Sequence, residues 1–245
     1  MTRRPILLVA LLAALLVGGF LVYDQFLAGD DVPPLTLPSA SPGASVSPGA
    51  SATPAPSGGT ATADDLAGEW SVSDGTVVGY RVREKLASLS AQSDAVGRTN
   101  SVTGSATLEA SGDAVTVTAA SFEADLTTLT SDEGRRDNRI REIGLESNRF
   151  PTATFVLTSP VEVPSVALAG ATVEVTLIGD LTIHGVTKSV SIPAQAQLTA
   201  DGKINVLGSL TFPFSDFGMT PPSIGGFVSV EDDATLEFVL VLSKV

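Results

Sequence analysis

From Val78 to Leu242 apolar and polar residues alternate in run after run. Val78, Tyr80 and Val82 face one way, and Gly79, Arg81 and Arg83 the other. Val102, Gly104, Ala106 and Leu108 oppose Thr103, Ser105, Thr107 and Glu109. A Gly112-Asp113 turn leads to Val115, Val117 and Ala119; the phase then slips near Ala120, and Phe122, Ala124 and Leu126 carry the face onward, the mark of a β-bulge. Ala153, Phe155 and Leu157 share a face. Val173 and Val175 lead into Leu177, Leu181 and Ile183, with Gly179 between them. After the corner His184-Gly185-Val186-Thr187-Lys188 the pattern resumes at Val190 and Ile192 and extends through Ala194, Ala196 and Leu198. Ile204, Val206, Gly208, Leu210 and Phe212 follow the Asp201-Gly202 turn, and Leu236, Phe238, Leu240 and Leu242 make the last run. A period of two with β-branched residues predicts strands that bury one face, and the glycines at the corners suit tight turns. About eight such strands joined by turns predict a barrel or a sandwich, and eight is the size at which a closed barrel holds one small ligand.

Three stretches break the pattern. Ser131 to Ser147 predicts the one helix of the domain, capped by Ser131 or Asp132, with Asp132/Arg136 and Asp137/Arg141 as acid-then-base pairs and Ile140 and Ile143 inward. Placed between strands, it can lie across a barrel mouth. Residues 84–93 read as a connection and 213–226 as an irregular loop. Glu231-Asp232-Asp233 reads as a turn before the last strand rather than a calcium site. Trp70 reads as a plug at a barrel end.

The N-terminal region differs. Arg3 and Arg4 precede an uncharged apolar run from Ile6 to Tyr23, long enough at about 27 Å to cross a bilayer. The arginines predict that the following chain faces outward. A cleaved signal peptide is the competing reading; its apolar region is usually shorter, and Phe26 fits poorly two positions before a cut near Ala28. The expected organisation is an anchor at 1–27, a linker rich in Pro, Ser, Ala and Thr at 28–65, and a β domain at 66–245. Pro33, Pro34, Pro38, Pro42, Pro48, Pro54 and Pro56 stiffen the linker, whose reach is about 100 Å at most. Plain spacer and wall-crossing tether both fit it.

Composition narrows the function. The 245 residues include no cysteine, which excludes disulfides, thiolate zinc sites and a thiol nucleophile. The net charge of −13 and the 5% aromatic content argue against nucleic acid as a partner. His184 is the only histidine, so neither a histidine metal site nor a Ser-His-Asp triad is supported, and no Gly-x-Ser-x-Gly elbow is present. At its corner His184 is expected to bond turn backbone. Arg135, Arg136, Arg139, Arg141 and Arg149 form the one basic cluster, read as a solvated face paired with its own acids or as a site for an anionic head group. The inward faces carry many small residues: Gly104, Ala106, Ala119, Ala124, Ala153, Gly179, Ala194, Ala196 and Gly208. Dense packing needs larger side chains, so these positions predict room for a guest, unless a facing sheet supplies the bulk.

Five segments carry a resemblance. They are Gly68-Glu69-Trp70, Asp125-Leu126, Arg136-Asp137-Asn138-Arg139-Ile140-Arg141, Phe150-Pro151-Thr152-Ala153-Thr154-Phe155, and Gly179-Asp180-Leu181-Thr182-Ile183-His184-Gly185-Val186-Thr187-Lys188. In order and spacing, Gly68 to Val245 resembles the YceI-like family of lipocalin-like, polyisoprenoid-binding proteins. The resemblance implies an all-β, eight-stranded antiparallel lipocalin-like barrel whose apolar channel holds an isoprenoid chain, without catalysis. Many such proteins are free and secreted, whereas this chain carries a tether. Channel residues follow from alternation instead: Phe122, Leu126, Phe155, Leu181, Leu210, Phe212 and Phe238, with Tyr80 as a polar handle near one end. The expected protein is a membrane-held, extracytoplasmic binding protein that holds a polyprenyl chain or quinone for storage, transport or stress protection and needs no cofactor, and a homodimer is compatible with it. The alternatives are a structural or protein-interaction barrel filled by its own side chains, and a hydrolase at the His184 corner.

Overall fold

The computed structural model describes residues 32–38, 61–86, 92–224 and 228–245. The expected anchor and most of the linker lie outside the described residues. Among the described residues, no helix is long and apolar enough to cross a membrane. Pro33–Val245 forms one compact unit.

The strands are β1 (Gly68–Val72), β2 (Val77–Leu86), β3 (Gln92–Thr99), β4 (Val102–Ser111), β5 (Ala114–Asp125), β6 (Thr152–Leu157), β7 (Val161–Val163), β8 (Val173–Ile183), β9 (Val186–Leu198), β10 (Ile204–Pro213), β11 (Ser223–Ile224) and β12 (Val228–Lys244). Among the described residues, eight of them close an antiparallel ring, β1-β4-β5-β6-β8-β9-β10-β12, with β12 returning to β1. β12 makes the closure because it is long. It pairs with β10 from Leu242↔Ile204 to Asp233↔Pro213, and its other edge takes β1 near the C-terminal end and β2 before it. β2 and β3 form a hairpin off the ring, β7 adds to β5, and β11 adds to β12.

The barrel and its strand number agree with the alternation, but the membership differs. β1, which carries Trp70, is in the ring, while the Val78–Val82 run lies in β2, off the ring. Trp70 is also the expected plug: it is 2% exposed, and its Nε1 donates to the Leu66 carbonyl at 2.8 Å. The segment expected as a connection continues into β3, whose Gln-Ser-Asp-Ala-Val-Gly-Arg-Thr sequence lacks alternation and is held by its register with β2. The acidic triplet 231–233 is no turn; it sits inside β12, where the register with β2 shifts between Val230 and Ala234. The bulge in β5 is present two residues earlier than the slip near Ala120 suggested. Leu108 pairs with Val117 and Thr107 with Ala119, leaving Thr118 extra. Ala120 therefore takes the inward face, and Ala119 is exposed. The His184 corner is tighter than expected, a two-residue turn with φ of +53° at His184 and +73° at Gly185, between the paired Ile183 and Val186. Two positive φ values fit the turn type that matches strand twist.

The helix also differs in detail. α1 (Ala63–Leu66) is a single turn ahead of β1, closed by a Thr62/Asp65 capping box. The expected helix is α2 (Gly134–Arg139), followed by a wider turn at Ile140–Gly144. Its N-cap is Glu133, without a side-chain cap. Ser131 instead donates from N and Oγ to Asp137 Oδ1 at 2.9 and 2.7 Å. The Asp132–Arg136 pair forms, but Arg141 donates to Asn138 at 3.1 Å. The wider turn leaves Ile143 50% exposed rather than inward.

Two apolar clusters close the barrel ends. One gathers Leu66, Trp70, Leu108, Phe238, Leu240 and Leu242. The other gathers Leu181, Ile183, Phe212, Phe214, Phe217 and Met219, with Leu145 packed against it. Arg136 reaches β2 through Glu84 at 3.3 Å, so the α2 segment covers this second end, as expected. Phe217, 1% exposed, meets Phe212 edge-on with ring centroids 4.8 Å apart. Phe217→Ala should lower unfolding free energy by about 3–5 kcal/mol in denaturant titrations, the usual loss when a buried aromatic is truncated.

Candidate functional site

Glycines seat aromatic rings at several cross-strand positions of the sheet. A Cβ added at Gly97, Gly104, Gly179 or Gly208 would come within 2.7 Å of ring atoms of Tyr80, Phe122, Phe155 or Phe238, respectively. Three of these pairs are direct cross-strand partners: Tyr80↔Gly97, Phe122↔Gly104 and Phe238↔Gly208. Phe155 pairs with Leu181 and reaches Gly179 diagonally. The expectation that small inward residues simply leave empty space therefore needs correction. At these glycines the space is taken by a neighbouring ring laid along the wall.

Among the described residues, the lumen holds an apolar cavity of about 90 Å³. Its wall includes Ala106, Leu108, Val117, Ala120, Phe122, Phe155, Leu177, Ala196, Val206 and Leu240, with Leu66, Val161, Val163 and Ala167 toward the Trp70 end. The one polar lining residue, Gln197, spends its amide on the Gly170 carbonyl at 3.2 Å. Many inward apolar side chains are only half-buried, among them Val117, Phe122, Phe155, Leu177, Leu198, Val206, Leu210 and Leu236. Phe155, Val190, Leu210 and Leu236 touch both end clusters and so run the length between them.

The structure separates the residues expected to line a channel. Phe122 and Phe155 line the cavity. Phe238 packs in the Trp70 cluster, and Leu210 bridges the two clusters. Leu181 and Phe212 belong to the far-end cluster. Leu126 is not on the strand face: it lies in a 3-10 turn at Leu126–Thr128, buried, with its N–H donated to the Pro151 carbonyl at 2.8 Å. Asp125 caps that turn through Thr127, whose hydroxyl and N–H hold the carboxyl below its ordinary range. Tyr80 is no exposed handle. Its hydroxyl is buried without a hydrogen-bond partner, and burial pushes its pKa up, so the phenol stays neutral. Sequence reading missed Val161, Val163 and Ala167: Pro160 and Pro164 interrupt the chain there, and the Val-Glu-Val alternation was the available signal.

Polar groups gather at the α2 end. His184 packs against Phe150 at 4.3 Å and faces Glu146 Oε1 at 3.5 Å, in place of the expected bonds to turn backbone. Ser147 is fully buried, and its hydroxyl lacks a hydrogen-bond partner. In the basic cluster, Arg136 pairs with Asp132 and Glu84, and Arg149 with Glu146. Among the described residues, no group of three or more His, Cys, Asp or Glu is placed to hold a metal ion.

Residues 72–242 match the family model described as a YceI-like domain. No curated protein matches the chain. Among solved structures, a polyisoprenoid binding domain from Saccharophagus degradans, implicated in plant cell wall breakdown, aligns with a TM-score of 0.53 at 18% identity, covering 72% of this chain and 98% of that one. Burkholderia cenocepacia BcnA aligns with a TM-score of 0.50 at 18% identity, covering 69% and 96%. Both likenesses concern the fold.

The ring seats are testable without any ligand. Gly208→Val should force Phe238 off the wall and destabilise the barrel by about 1–3 kcal/mol. Adding Phe238→Ala should recover part of that loss, giving a favourable coupling energy in a double-mutant cycle read by denaturant unfolding.

Proposed function

Since the chain belongs to the YceI-like domain family, we propose that it is a binding protein whose barrel takes up an isoprenoid-type lipid, a polyprenyl chain or a quinone, without chemical change. The observation that carries this is the row of inward apolar side chains that stay half-buried along the lumen, several of them around an apolar cavity. Burying them against a guest contributes about 0.8 kcal/mol for each methylene removed from water. The Saccharophagus protein, described as a polyisoprenoid binding domain, supports the ligand class. The cavity of about 90 Å³ is smaller than the roughly 150 Å³ void that takes a benzene. Uptake through this cavity therefore requires the lumen to open, and Phe122, Phe155 and the β7 side chains Val161 and Val163 are among the parts that border it. The apolar run at Ile6–Tyr23, with Arg3 and Arg4 before it, supports a membrane-held barrel facing away from the cytosol.

The small cavity also favours a second reading, a structural barrel filled by its own side chains. One measurement separates them. Full-length protein is purified, its lipids are extracted and weighed by mass spectrometry, and the delipidated protein is offered polyprenyl lipids and quinones. Co-purified or retained lipid at close to one molecule per chain is the expected result. A protein that emerges lipid-free and takes up none overturns the carrier reading in favour of the structural one.

A further inference from the structure

Ahead of the barrel, the segment Val32-Pro33-Pro34-Leu35-Thr36-Leu37-Pro38 is described, between stretches that are not. Its prolines hold the backbone extended and reduce the entropy lost on docking. From Pro34 onward exposure alternates: Leu35 and Leu37 are half-buried, while Pro34, Thr36 and Pro38 are exposed. One side of an extended segment is therefore covered. Residues 33–38 belong to the same compact unit as the barrel.

The contact surface is the outer wall. Pro34 and Leu35 share a groove with Arg81, Leu207, Ser209 and Glu237. On β10 and β12, Leu207, Ser209 and Glu237 alternate with the lumen-facing Val206, Gly208, Leu236 and Phe238, so they point outward. Glu237 is nevertheless only 4% exposed. A carboxylate removed from water needs charged partners. Arg98 supplies one, through Nε at 3.2 Å and Nη2 at 2.8 Å, and Arg81 the other at 3.6 Å. The same Arg98 Nη2 donates to the Pro33 carbonyl at 2.6 Å. One guanidinium thus ties the outer wall to the segment.

We infer that residues 33–38 are a docked strap that moves the point where the preceding chain leaves the barrel from residue 61 to Pro33. Read as a spacer, residues 28–65 reach about 100 Å. Docking at Pro33 leaves the chain from residue 28 to Pro33 a contour length of at most about 17 Å. Release of the strap restores the long reach. The inference does not depend on what fills the lumen.

The cysteine-free chain suits a distance measurement. Thr36→Cys and Asp113→Cys, both at exposed positions, are spin-labelled in the full-length protein for pulsed electron paramagnetic resonance. A docked strap gives one narrow distance population. Leu35→Asp with Leu37→Asp, which leaves every barrel strand untouched, should broaden it several-fold. A broad distribution in the parent pair overturns the strap, and so does a narrow one that the aspartates leave unchanged. Failure here leaves the lipid reading standing, and a lipid-free barrel leaves the strap standing.

Discussion

Aromatic rings seated close against glycines line the wall of this barrel. A side chain at Gly104, Gly179 or Gly208 would hold Phe122, Phe155 or Phe238 away from the wall. With only hydrogen there, each ring lies along the sheet, and apolar bulk is spread around the lumen rather than across it. Protein interiors are otherwise packed as densely as organic crystals. Here Trp70 and Phe217 are almost fully buried, while many inward apolar side chains along the lumen are only half-buried.

The alternation made most of the ring legible, because period two reports which face a residue occupies. It found β4, β5, β8, β9 and β10, and even the β5 bulge showed as a slip of phase. β1 and β3 were not legible as strands: five residues around Trp70 and the unpatterned run to Thr99 are extended only because distant partners hold them. Period two says nothing of height along the barrel axis. Leu181 and Phe212 were therefore correctly placed on the inner face but belong to an end cluster, whereas Phe122 and Phe155 reach the cavity. The glycine seats were illegible for a related reason. Gly208 reads as missing bulk until the register sets Phe238 opposite it.

Charge is distributed to match. The outer wall over β2, β3 and β12 carries a linked set, with Glu237 between Arg81 and Arg98, and Asp94 bonded to Arg81 at 3.0 Å. At the α2 end, Arg136 joins helix and β2 through Asp132 and Glu84. These groups orient elements that apolar packing alone would let slide. The cavity wall stays free of charge, since Gln197 is its one polar member.

The ring is sealed by strands from opposite ends of the domain: Trp70 pairs with Lys244, and the Val245 N–H donates to the Glu69 carbonyl at 3.0 Å. Such a contact carries the largest loop-closure entropy in the molecule and forms late. During synthesis at about 5–20 residues per second, β1 and β10 wait with unpaired edges until the final strand has left the ribosome. The nascent chain is at its most vulnerable to edge-to-edge aggregation in that interval, and a chaperone has most to protect there.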